Sequence, residues 1–326
     1  MKPLGIKTIP GSTAWLRGDG AIPSHDIGPR ERAPRLALVA DLRGQELNGM
    51  FVLSRLAAFL RDIEAGRRRD LRLRERVLVI PSIGDAAEGQ GANIQRIAWL
   101  RWAMIDAVVA ATQAAYYRVT IHPSPDTEEM PQVRLYAPND DERASACLFG
   151  LPAVIEQPLE LAETPVLVRA WRLCGGENFA LHAGQAGGLQ TVHCESLFHA
   201  LVAFLDRTGI VEGLRLANEE EDLEYFGLRQ VFLVLAEQSG IFSSRQEVGR
   251  WVQAGEELGQ VYDGFTGGAR ARVIAPVAGL LASLRRQPLL REGDLVARIL
   301  TPARTIRCER ARPRGERHER RFGFRP

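Results

Sequence analysis

Lysine is nearly absent from this sequence, in which Lys2 and Lys7 are the only lysines among 326 residues. A Walker A loop needs a lysine directly after its glycines, so the sequence excludes a P-loop nucleotide-binding site. A Schiff-base lysine would have to be one of these two residues, and no lysine further along the chain can carry biotin or lipoate. The sequence therefore predicts neither biotin nor lipoate as a prosthetic group.

Cysteine and long apolar runs are also scarce. The four cysteines (Cys147, Cys174, Cys194 and Cys308) form no CxxC pair and no tight framework, so we expect reduced thiols. No apolar run approaches the ~20 residues of a membrane span, and the first ten residues, MKPLGIKTIP, lack the apolar core of a signal peptide. These absences predict a cytoplasmic protein that does not cross a membrane.

The remaining composition is that of a globular protein, with 45% hydrophobic and 25% charged residues. The net charge of +2 is unevenly distributed, because residues 303–326 contain nine Arg and three Glu. That segment carries +6, and the rest of the chain is mildly acidic. We interpret residues 303–326 as a basic, solvated and disordered tail, in preference to an arm that binds nucleic acid.

Residues 35–217 alternate β-like runs with segments of helical period. Val77–Ile83 has the pattern of a buried strand, whereas Leu47–Gly66 and Ile94–Ala115 place their apolar residues at helical spacing. The middle of this region, including Pro165–Cys174, is predicted as strand-rich. Alternation of this kind is typical of an α/β domain with a mostly parallel sheet covered by helices.

The pattern changes outside this region. Residues 1–34 are rich in Gly, Pro and charge and predict an irregular N-terminal arm, whereas residues 218–228 predict an acidic linker. In residues 229–302 the helical period disappears, and short β runs alternate with Gly turns. Within them, Val252–Val261 resembles Leu290–Ile299 in pattern. This half-repeat predicts a small all-β barrel-sandwich domain like those that carry biotin or lipoate, here without the lysine.

The segment ADLRGQELNG (Ala40–Gly49) lies where a predicted strand becomes a predicted helix. Open α/β sheets place their sites at this carboxyl edge. The segment resembles the first motif of the succinylglutamate desuccinylase/aspartoacylase family of zinc carboxypeptidase-like hydrolases, which runs Gly-x-His-Gly-x-Glu-x-x-Gly. Gly44, Glu46 and Gly49 match this motif, and Arg43 occupies the histidine position.

Other segments follow in the same order as in that family. Arg96 fits the arginine that holds the substrate carboxylate, with Gln95 in place of an asparagine. His122 fits the third metal ligand, and His182 stands where the family has its catalytic Glu. The Gly-rich β module resembles the family's C-terminal domain, which roofs the active site. The resemblance covers roughly residues 35–300 and implies a carboxypeptidase-like α/β fold followed by the small β domain.

The resemblance also implies a zinc ion bound by His, Glu and His, and hydrolysis of the amide bond of N-acyl amino acids. Arg43 cannot replace a histidine ligand, because a guanidinium has only donors and stays protonated. Glu46 and His122 therefore make an incomplete set of metal ligands. We assign Arg43, Arg96 and Gln95 to substrate binding, since the two arginines can pair with a carboxylate.

His182 has three interpretations. It is a catalytic general base, or it completes a rearranged metal site with Glu46 and His122, or it is a hydrogen-bonded core histidine. We favour a protein with a degenerate site that binds a small carboxylate or N-acyl amino acid, or that serves as a subunit beside an active paralogue or in a homo-oligomer. The alternative is an active metal-dependent amide hydrolase that uses the rearranged ligand set.

Overall fold

The computed structural model describes residues 6–10, 21–40, 46–82, 94–161, 164–214 and 224–302, with the backbone alone for residues 6–10, 21 and 94–101. The helices are α1 (Leu47–Glu64), α2 (Ile94–Thr112), α3 (Asp140–Ala146), α4 (Val166–Trp171) and α5 (Thr191–Arg207), with 3-10 turns at Cys147–Phe149 and Leu228–Gln230. The strands are β1 (Ile6–Pro10), β2 (Ala21–Ile27), β3 (Leu36–Ala40), β4 (Arg72–Leu73), β5 (Val77–Ile80), β6 (Tyr117–Ser124), β7 (Thr127–Glu129), β8 (Gln132–Tyr136), β9 (Ala153–Gln157), β10 (Glu177–Gln185), β11 (Val211–Glu212), β12 (Glu224–Phe226), β13 (Val231–Leu235), β14 (Gly240–Ser244), β15 (Trp251–Val252), β16 (Glu257–Tyr262), β17 (Ala269–Ile274), β18 (Gly279–Arg285), β19 (Leu289–Leu290) and β20 (Leu295–Leu300).

The main sheet has the strand order β1-β2-β5-β3-β6-β10-β8-β9-β12 among the described residues. Five of its eight neighbouring pairs are parallel and three are antiparallel. The predicted α/β class with a mostly parallel sheet is therefore confirmed, although the sheet is mixed. Its parallel centre, β5-β3-β6-β10, brings the carboxyl ends of β3, β6 and β10 to one edge.

Helices cover both faces of this sheet. On one face α1 and α5 pack against the odd-numbered apolar residues of β6 and β10, such as Val119 and Leu181. On the other face α2 and α4 cover Ala37 and Val39 of β3. α1 buries Leu53, Leu56, Ala57, Leu60 and Ile63, which is the spacing of one helical face. None of the helices described by the structure is long and apolar enough to span a membrane.

The C-terminal region forms two small sheets, with the orders β13-β20-β18-β15 and β17-β16-β14-β19 in the described chain. Their facing residues, including Val252, Leu258 and Val296, form one apolar core, as the predicted β sandwich requires. β7 leaves the α/β region and pairs antiparallel with β18. In the chain, β7 lies between β6 and β8 of the main sheet. It therefore links the main sheet directly to the β sandwich.

Two predicted connecting segments contain strands. The N-terminal arm prediction is wrong, because β2 pairs with both β1 and β5 inside the main sheet. The polar residues of β2 do not show the apolar pattern of a buried strand. One of them, Asp26, is buried and forms an ion pair with Arg76 at 2.7 Å. The linker prediction is wrong for its last part, where Glu224–Phe226 pairs parallel with β9 and buries Phe226. Residues 215–223 and the predicted tail, 303–326, lie outside the described residues.

One further sequence prediction needs correction. Pro165–Cys174 is not a strand, because Val166–Trp171 forms α4 and buries Leu167, Val168 and Trp171. Short apolar runs are ambiguous between strand and helix, and the proline at the start is compatible with a helix N-terminus. Cys174 and Cys194 are free thiols, as expected.

Candidate functional site

Three polar side chains lie in one row at the carboxyl edge of the main sheet. His122 on β6 is the direct neighbour of His182 on β10, and His182 is in turn opposite Gln132 on β8. The rings of the two histidines are 5.7 Å apart between centroids. These residues share a face because alternate residues of a strand point the same way and neighbouring strands are in register. The predicted proximity of His122 and His182 is therefore observed.

Glu46 reaches this row from the start of α1, where it is the N-cap residue. Gly49 permits that position, because a Cβ at Gly49 would lie 2.9 Å from Cβ of Ala40 and 3.3 Å from Cβ of Ile121. Any larger residue would push the first turn of α1 away from β3 and β6. The glycine of the motif thus has a packing function that sets the distance between Glu46 and the strand edge.

Glu46 and His122 form a close pair. Oε1 of Glu46 is 3.8 Å from Nδ1 of His122, and the two side chains are only 6% and 13% exposed. The other ring nitrogen of His122, Nε2, lies 2.9 Å from the hydroxyl of Thr120. Both nitrogens of His122 therefore face polar groups of the protein, and Nδ1 is the one directed to Glu46.

His182 is paired with a residue that sequence reasoning missed. Its Nδ1 lies 3.2 Å from Oε2 of Glu129 on β7, and the two side chains are 8% and 1% exposed. Burial, together with the charge of Arg134, lowers the pKa of His182 to about 3. The imidazole is therefore neutral near pH 7. Its Nε2 is buried and has no hydrogen-bond partner among the residues that the structure describes.

Glu129 is held as a carboxylate by two arginines from different sheets. Its Oε1 accepts hydrogen bonds from Arg134 at 2.5 Å and from Arg298 on β20 at 3.1 Å. Burial alone would raise the pKa of Glu129, but these cations and the hydrogen bond from His182 outweigh it and hold the pKa well below its usual range. The only signal in the sequence was a pair of glutamates, Glu128 and Glu129, between two apolar β runs.

The neighbouring Glu128 makes a second bridge between the two regions. It contacts His193 on α5 at 2.7 Å and accepts a hydrogen bond from Arg286, beyond β18, at 2.6 Å. The hydrogen bond with His193 is the main reason why the pKa of Glu128 falls to about 2. His193 is therefore a structural partner of β7. Together, Glu128 and Glu129 fasten the β sandwich to the main sheet beside the candidate site.

The predicted site residues differ in what the structure says of them. Glu46, His122 and His182 come together at one edge of the sheet, as described above. Gln95 and Arg96 lie in the first turn of α2, which is described by its backbone alone. Arg43 lies outside the described residues. The structure thus brings together the two predicted metal ligands and the predicted catalytic histidine, and leaves the predicted substrate-binding residues as assignments from the sequence.

The described side chains do not fit a resident zinc ion. Glu46 and His122 are close enough to share a cation, but a structural or catalytic zinc site takes at least three protein ligands. No group of three His, Cys, Asp or Glu side chains within the described ranges could hold a metal ion. His182 is not part of such a group with Glu46 and His122. The rearranged ligand set is therefore not assembled in this structure.

The fold is similar to several solved structures. It matches the product-bound ectoine utilization protein EutE (DoeB) from Ruegeria pomeroyi with a TM-score of 0.65 and 19% identity, over 86% of this chain and 88% of that one. It matches a succinylglutamate desuccinylase/aspartoacylase from Rhodobacter sphaeroides with a TM-score of 0.66 and 16% identity, and an aspartoacylase family protein from Mesorhizobium loti with 0.64 and 17%. Both of these matches cover 92% of this chain and 95% of the other.

Sequence comparison adds nothing to this likeness, since no protein-family model and no curated protein matches the chain. At identities of 16–19%, the three structural matches show the fold. The chain has the α/β fold and the C-terminal β region of succinylglutamate desuccinylase/aspartoacylase family proteins. The resemblance inferred from the motifs is therefore confirmed at the level of fold.

Proposed function

We propose that this chain is a succinylglutamate desuccinylase/aspartoacylase-like protein that binds a small carboxylate ligand and has lost the zinc-dependent hydrolysis expected of the family. The observation that carries this proposal is the donor set at the sheet edge. Glu46 and His122 meet at 3.8 Å, whereas the described residues contain no third ligand beside them. In the sequence, the remaining ligand position of the motif is Arg43, which cannot bind a metal.

The charges that remain favour an anionic ligand. From its position in the motif, we expect Arg43 to bring a permanent positive charge to the part of the site where the family would have a metal ion. Arg96 matches the arginine that holds a substrate carboxylate in the family. A guanidinium binds a carboxylate through two parallel hydrogen bonds and needs no metal for it. A ligand of the N-acyl amino acid class, which has one or more carboxylates, suits this pair of cations.

The competing proposal is an active metal-dependent amide hydrolase in which Glu46, His122 and His182 bind the metal ion. It needs His182 to turn a nitrogen to the same ion as Glu46 and His122. The hydrogen bond of His182 Nδ1 to Glu129 leaves Nε2 as the only nitrogen available for this role. The described residues hold no such ligand group, and this supports the carboxylate-binding protein over the hydrolase. We further propose that the chain acts as a subunit beside an active paralogue or in a homo-oligomer.

The test is a calorimetric titration of N-acetyl-L-aspartate into chelator-treated protein. We expect binding that does not require metal and no release of acetate. Arg96→Gln should weaken binding by about tenfold or more, because a charged hydrogen-bond pair contributes about 1.5–3 kcal/mol. Arg72→Gln, at an exposed arginine, is the matched control and should bind normally. Binding that appears only after zinc is added, or acetate release with zinc, would contradict the proposal.

A further inference from the structure

The partners of His182 determine which of its ring nitrogens carries the proton. Glu129 accepts hydrogen bonds from Arg134 and Arg298, so its carboxylate is ionised and can only accept. Nδ1 of His182, at 3.2 Å from this carboxylate, must therefore be the N–H donor. In a neutral imidazole the other nitrogen then has a free lone pair. Nε2 of His182 is thus a hydrogen-bond acceptor.

This acceptor is buried, and the described residues give it no hydrogen-bond donor. The side chain of His182 is 8% exposed, and its Nε2 contacts no donor in the described part of the chain. A buried acceptor without a partner is costly, and native proteins rarely keep one unless a ligand or water completes it. The rings of His182 and His122 are 5.7 Å apart between centroids, and His122 meets Glu46 at the same edge of the sheet.

We infer that Nε2 of His182 accepts a hydrogen bond from the ligand, so that the site selects carboxylate ligands that also present an N–H or O–H donor. This inference rests on the proposed function, since it names a second chemical feature of the same ligand. The amide N–H of an N-acyl amino acid is such a donor. The corresponding ester has an oxygen in that position, which cannot donate.

Glu129 is the positioning residue in this arrangement. It does not reach the ligand but holds the proton on Nδ1, as carboxylates do for the histidines of catalytic and metal sites. Arg298 comes from the β sandwich and Arg134 from the main sheet. The acceptor state of His182 therefore depends on both parts of the fold being docked together through β7.

A pair of probes that differ in one atom tests this selection. Chelator-treated protein is titrated with N-acetyl-L-aspartate and with O-acetyl-L-malate, in which an ester oxygen replaces the N–H. We expect the amide to bind about three- to tenfold more tightly, as one net hydrogen bond predicts. His182→Phe should reduce this ratio to about one. His199→Phe, the same substitution at an exposed histidine of α5, should leave it unchanged.

Equal binding of both probes by the wild-type protein overturns this inference but leaves the proposed function standing. A preference for the amide that persists in His182→Phe has the same consequence. If neither probe binds, the proposed function fails and this inference falls with it. Nitrogen-15 NMR of the imidazoles gives a readout that needs neither ligand nor variant stability. The His182 signals should show a protonated Nδ1 and an unprotonated Nε2 near pH 7, and the opposite tautomer would overturn the inference.

Discussion

Glu129→Gln should be one of the most destabilising conservative substitutions in this chain. The side chain of Glu129 is 1% exposed, and its carboxylate neutralises two guanidinium groups that are themselves only 3% and 10% exposed. Glutamine keeps the shape of glutamate but removes the charge. Arg134 and Arg298 then lose the carboxylate that pairs with both of them. Breaking a buried ion pair in this way costs about 3–5 kcal/mol.

The adjacent Glu128→Gln is the matched control, because it makes the same chemical change on the same strand. Glu128 is 16% exposed and its cationic partner Arg286 is 22% exposed, so water can replace part of the lost interaction. We expect a loss of about 1–2 kcal/mol for this variant. Urea unfolding at pH 7, followed by tryptophan fluorescence, measures both. A loss for Glu129→Gln no larger than that for Glu128→Gln would refute the account of Glu129 as the centre of the network.

Two other predictions concern the same edge of the sheet. The folded-state pKa of His182 is about 3 against 6.5 in the unfolded chain, so the unfolded state binds the extra proton between these values and stability should fall as the pH drops through that window. The loss can reach about 4–5 kcal/mol, and His182→Phe should show a flatter profile of melting temperature from pH 6.5 to 4. An unchanged profile would contradict the buried, neutral histidine. Gly49→Ala should destabilise by up to about 2 kcal/mol, because overpacking against Ala40 exceeds the gain in helix propensity of about 1 kcal/mol. Ser54→Ala, on an exposed face of the same helix, is the control and should be neutral or slightly stabilising by thermal melting.

The α/β core was predictable because its apolar periodicity is strong. The helical face of α1, from Leu53 to Ile63, is read directly from spacing. β2 was missed because Ser24 and Asp26 interrupt its apolar pattern, and the buried Asp26 pairs with Arg76, 50 residues away. A local pattern does not contain a partner so distant in the chain. α4 was predicted as a strand for a different reason, because its short apolar run fits either a strand or a helix.

The candidate site was predictable in part from the positions of its residues relative to the predicted strands. Glu46, His122 and His182 could be placed at one edge because each follows or ends a predicted strand, and carboxyl ends of parallel strands meet. Glu129 could not be found, since its importance comes from contacts with β10, β8 and β20 that no spacing encodes. Its neighbour Glu128 looks identical in sequence and has quite different partners.

If this fold retains a ligand site without the family's zinc chemistry, the purified protein should contain little zinc. The most direct measurement is the zinc content of the protein as purified without chelator, determined by elemental analysis. We expect well under one zinc per chain, because Glu46 and His122 meet at the predicted metal position but the described residues contain no group of three ligands that could hold a metal ion. Arg43→His should raise the zinc affinity by restoring the missing ligand of the motif. One zinc per wild-type chain, lost on substitution of His182, would contradict this expectation and favour the rearranged hydrolase.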